Sequence, residues 1–91
     1  MSPYLGGSAP SMAAQVADGY TLVTALHLKR LTDAELVQLQ FELEKLLRDA
    51  RGTAVSVDDQ PAMQARNRKI TRLNGVVRQI QATQAQRRRV G

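Results

Sequence analysis

Leu36, Leu39, Leu43, Leu46 and Ala50 follow one another at intervals of three and four residues, which places them on one side of an α-helix. Just before them, Thr32-Asp33-Ala34-Glu35 has the form of a capping box. In that motif the threonine hydroxyl takes the third amide of the helix, and the glutamate reaches back to the cap. Leu31 and Leu36 flank the cap as a hydrophobic staple. This predicts a helix over residues 32–51, with Gly52 at the position of a C′ glycine. A second seam, Met63, Ile70, Leu73, Val77 and Ile80, follows Pro61, a residue suited to a first helical turn. It predicts a helix over residues 61–86, fraying into a basic tail at 87–91. The loop between the two covers residues 52–60.

The first part of the chain gives weaker signals. Residues 1–19 are rich in Gly, Ser, Pro and Ala and read as a flexible N-terminal tail. Residues 20–31 form an arm open to two readings. Tyr20, Leu22, Leu26 and Leu28 alternate as in a strand, whereas Ala25 to Leu31 favour a short helix. The expected fold is all-α: an antiparallel, coiled-coil-like helical hairpin with a flexible N-terminal arm and a possible short third helix. Its seam makes an isolated hairpin only marginally stable. Val37, Phe41, Leu47 and Val76 make a second apolar stripe, a candidate protein interface for the arm, a second copy of the chain or a larger assembly.

Composition narrows the chemistry. Within 91 residues there is no Cys, one His and three aromatic side chains. Disulfide frameworks, cysteine zinc sites and multi-histidine metal sites are thereby excluded, and Tyr4, Tyr20 and Phe41 are too few for the stacking platform that single-strand nucleic-acid binders use. His27 has no evident carboxylate partner for acid–base work. Asp58-Asp59 reads as loop and helix cap, since two adjacent carboxylates do not fill a calcium shell. No catalytic residue, metal or cofactor is expected, and the chain is not expected to be an enzyme. No apolar run approaches the ~18 residues of a membrane span, and the N-terminus lacks the basic flank and apolar core of a secretory signal. A cytoplasmic protein with no membrane partner is the expectation.

Charge changes the picture most. The net charge is +5, but it is unevenly placed. All eight acids lie before residue 60, together with five of the thirteen basic residues. The other eight, Arg66, Arg68, Lys69, Arg72, Arg78, Arg87, Arg88 and Arg89, occupy a segment with no acid at all. Seven are arginines, whose planar forks match phosphate. At about 100° per residue, Arg68 and Arg72 fall opposite the seam, followed by Gly75, Gln79 and Gln86. This face, together with the other cations of the segment (Arg66, Lys69, Arg78, Arg87, Arg88 and Arg89), is the candidate nucleic-acid-binding surface. The alternative is a protein–protein interaction module that dimerises or docks on a larger complex.

Two motifs carry a family resemblance. Leu28-Lys29-Arg30-Leu31-Thr32-Asp33-Ala34-Glu35-Leu36 is followed by Leu39, Leu43 and Leu46. Downstream stand Arg68-Lys69-Ile70-Thr71-Arg72-Leu73 and Val76-Val77-Arg78. Over residues 28–80 the chain resembles the two-helix large-subunit ribosomal proteins of the L-twenty-nine type. The resemblance implies a hairpin lying on RNA rather than DNA, with Arg68, Arg72 and Arg78 as contacts. Thr71, Lys69 and the connection between the helices depart from the family pattern.

Overall fold

The computed structural model describes residues 3–90, and everything described is helical or irregular, without strands. A single 3₁₀ turn at Leu5–Gly7 precedes four helices: α1 (Ala9–Asp18), α2 (Ala25–Lys29), α3 (Asp33–Gly52) and α4 (Gln60–Val90). Asp33, at the start of α3, meets Arg87 near the end of α4, and Thr53, just after α3, meets Arg66. The two long helices therefore run antiparallel. At about 1.5 Å per residue α4 is roughly 46 Å long and sets the long axis of a 50 × 28 × 18 Å molecule.

The start of α3 follows the sequence signal closely. The Glu35 amide donates to Thr32 Oγ1 at 3.2 Å, and the Thr32 amide donates to Glu35 Oε1 at 2.8 Å. Leu31 and Leu36 on either side of the cap are both buried. The other end differs. Gly52 is the last helical residue and has no left-handed backbone; the chain leaves through extended Thr53. Asp59 then caps α4, its carboxylate accepting the Ala62 amide at 3.2 Å.

The expected flexible tail over residues 1–19 is corrected by α1. Ala9, Met12, Ala13, Val16 and Ala17 are all buried, and α1 lies against both α3 and α4. (Residues 1 and 2 lie outside the described part.) Their spacing is i, i+3, i+4, i+7, i+8, the same periodicity as in α3. Alanine is the strongest helix former, and three alanines on one face let α1 sit close to its neighbours. Ser8 caps the helix by accepting the Ser11 amide. Gly19 ends it in a left-handed conformation at φ +79, its amide bonded back to Val16. The same helix accounts for half of the second apolar stripe. Leu47 and Val76, expected at a protein interface, are only 4% and 6% exposed, in the core that α1 completes. The surface that the hairpin left uncovered is thus partly filled from within the chain.

Of the arm's two readings the structure has the short helix and no strand. Residues 20–24 are irregular, and α2 follows. Val23, Leu28 and Leu31 turn inwards, while Tyr20, Leu22 and Leu26 turn outwards. His27 closes a small capping box: its Nδ1 accepts the Thr24 amide at 3.1 Å, and its own amide donates to Thr24 Oγ1.

Candidate nucleic-acid interface

α4 carries all eight candidate cations, and its tertiary contacts sort them into two groups. The first group is held by the protein itself. Arg72 Nη2 donates to the Ala17 carbonyl at 2.6 Å and Nε to the Val16 carbonyl at 3.3 Å. These carbonyls close the C-terminal turn of α1, where a helix lacks internal partners and carries partial negative charge. Arg87 Nη1 pairs with Asp33 at 2.7 Å, while Nη2 donates to the Leu31 carbonyl at 2.7 Å and to that of Lys29 at 3.3 Å. Arg66 reaches the Thr53 carbonyl at 3.5 Å and is half-buried. Arg72 was expected on the solvent side of α4, opposite α3. That expectation assumed one packing face, whereas α1 covers a second.

The second group remains available. Arg68, Arg78, Arg88 and Arg89 are exposed, and Lys69 is half-buried. Arg88 also approaches the Gln84 carbonyl of its own helix, at 3.5 Å. The fraying expected from residue 87 onwards is replaced by helix up to Val90, with Arg87 tying the last turns to the start of α3; Gly91 lies outside the described residues. The cations of the last turn also oppose the negative end of the helix dipole.

The outer strip of α4 continues beyond the arginines as Gly75, Gln79, Ala82 and Gln86, all exposed. A Cβ added at Gly75 would meet nothing within 4 Å. The strip is bordered by the arm. A hollow of about 200 Å³ lies between Leu22 and Val23 on one side and Arg72, Gly75 and Gln79 on the other. A second, of about 350 Å³, continues it along Thr24, Ala25, Gln79 and Gln86. Leu22 and Tyr20 are 84% and 83% exposed. Of the alternating set Tyr20, Leu22, Leu26 and Leu28, only Leu28 is buried, and Val23 turns inwards from between them.

On α3, Val37 and Phe41 are 59% and 52% exposed, and the Lys45 ammonium lies 5.7 Å from the Phe41 ring centre. Glu42, nearly buried, pairs with Lys45 at 3.4 Å. Among the described residues no three His, Cys, Asp or Glu side chains come together as a metal-binding group. No helix among them is long and apolar enough to cross a membrane. Comparison with protein-family models, curated proteins and solved structures gives no significant match.

Proposed function

We propose that this protein is a non-enzymatic, cytoplasmic nucleic-acid-binding helical hairpin that contacts phosphates through α4. The observation that carries this reading is the exposed set Arg68, Arg78, Arg88 and Arg89 on a helix without a single acidic residue. Electrostatic attraction to phosphate needs no base-reading motif. The reading favours RNA over DNA, on the resemblance of residues 28–80 to the L-twenty-nine type of ribosomal protein. Arg72 and Arg87 act in the fold, and the binding role falls to the exposed cations. Binding to an RNA oligonucleotide should weaken as salt rises. Replacing Arg68 and Arg78 together by Ala should reduce the log–log salt slope by roughly 0.7–0.9 per lost phosphate contact. An unchanged slope would remove this face from the interface.

A second reading, a protein-interaction module, is favoured by Val37 and Phe41, which leave an apolar pair one helical turn apart on the exposed side of α3. Sedimentation at high salt without nucleic acid tests it. Self-association that Phe41→Glu abolishes supports it, and a concentration-independent monomer argues against pairing of copies through this face.

A further inference from the structure

We infer that the groove between the arm and the outer strip of α4 takes a single strand of nucleic acid rather than a duplex. The inference rests on the nucleic-acid reading above and goes on to name the form of the ligand.

Shape is the first argument. A duplex is entered by a projecting helix: an α-helix with side chains is about 10–12 Å across, and the B-form major groove is about 12 Å wide. Here the arm stands beside α4 along its outer strip, with Leu22 and Val23 facing Gly75 and Gln79. Helix and arm together are too broad for that groove. The A-form major groove is deep and too narrow for side chains to read, and duplex RNA is instead met across successive wide, shallow minor grooves by surfaces that project onto it, not by a trough. The surface is a trough, and a trough receives a strand.

Chemistry is the second argument. One wall is apolar, formed by Leu22 and Val23. The floor is small or amide-bearing: Gly75, Gln79, Ala82 and Gln86. The far flank is cationic. From the helical repeat, Arg78 and Arg89 share one flank of the strip about 16 Å apart, and Arg68 lies about 15 Å before Arg78. A strand lying along α4 sets its phosphates on this rim and its bases over the floor, held by charge and amide hydrogen bonds rather than by aromatic stacking. The glutamine amides can bond base edges. The apolar side of an acidic amphipathic peptide, the competing occupant, would cover those amides without pairing them.

The test compares labelled decauridylate with an RNA duplex of equal length by fluorescence anisotropy, across a salt series, on the full chain. Two variants accompany it. Gly75→Met fills the floor at a position where an added side chain meets open space, and it replaces glycine inside a helix, so its Tm should rise. Leu22→Ser removes the wall at an exposed site. The single strand should bind about tenfold tighter than the duplex, and each variant should lose about five- to tenfold of that affinity without a fall in Tm. Duplex binding equal to single-strand binding, or variants that bind the strand as wild type does, overturns the inference and leaves the nucleic-acid reading standing. Failure of both RNAs to bind at low salt overturns both, as does capture of an acidic helical peptide in their place.

Discussion

Arg72 on α4 donates a 2.6 Å hydrogen bond to the carbonyl of Ala17 at the end of α1. This side chain joins elements more than fifty residues apart and answers a helix end with charge. Arg68, one turn earlier, is exposed. The two arginines should therefore separate cleanly on substitution. Arg72→Ala is expected to lower folding stability by about 1–3 kcal/mol, the cost of losing hydrogen bonds from a charged group. Arg68→Ala should stay within about 0.5 kcal/mol of wild type. Urea unfolding followed by circular dichroism reads both. Equal effects would mean that Arg72 is not the clasp described here.

Met12 is a sharper measure of whether α1 belongs to the core. Its side chain is 1% exposed among α3 and α4 residues. Met12→Ala should cost about 2–5 kcal/mol, the range for truncating a large buried side chain. A loss below about 0.5 kcal/mol in chemical denaturation would show that α1 does not dock in solution.

Tyr4 gives the fold an alkaline limit. Its hydroxyl donates to the Glu35 carbonyl at 3.0 Å. Burial raises its pKa above the ordinary phenol value, and the nearby Glu35 carboxylate adds to the shift. A raised pKa in the folded state means that the unfolded chain gives up this proton first. The associated stability is present below pH ~10 and is lost as pH climbs through the folded value. Tyr4→Phe should cost about 1 kcal/mol near neutrality and flatten the decline above pH ~10. A decline of the same steepness in the variant would assign it to other groups.

Gly75 sits in mid-helix with open space around it. Gly75→Ala should therefore stabilise the protein by about 0.5–1 kcal/mol, through helix propensity alone. Thermal melts of the two proteins decide it, and a lower Tm for the variant would reveal a backbone requirement that the open surroundings do not suggest.

The long helices were legible because their signals are local. The Thr32–Glu35 box, the staple at Leu31 and Leu36, and the leucine seam lie within one short stretch, and each has a single structural meaning. α1 was obscured by composition. Gly6, Gly7, Ser8 and Pro10 suggest mobility, and they flank a run whose alanines and Met12 carry the helical period. The candidate interface was half legible. The absence of acids on α4 is a property of sequence, but which arginines stay free depends on what packs beside them. Arg72 and Arg87 are held by carbonyls and a carboxylate from α1, α2 and α3 or the turns beside them. No spacing rule on α4 encodes those distant partners.

The placement of α1 has a consequence for how the chain comes into being. Its docking site is built jointly by α3 and α4, so α1 cannot complete its packing until both have been made. At about 5–20 residues per second, Met12 and Val16 stay uncovered for seconds while the rest is synthesised. α1 therefore reaches its native packing only once α4 has emerged beyond Arg72. Loss of the last turns of α4 should instead be felt at α2 and the start of α3, where Arg87 is bound.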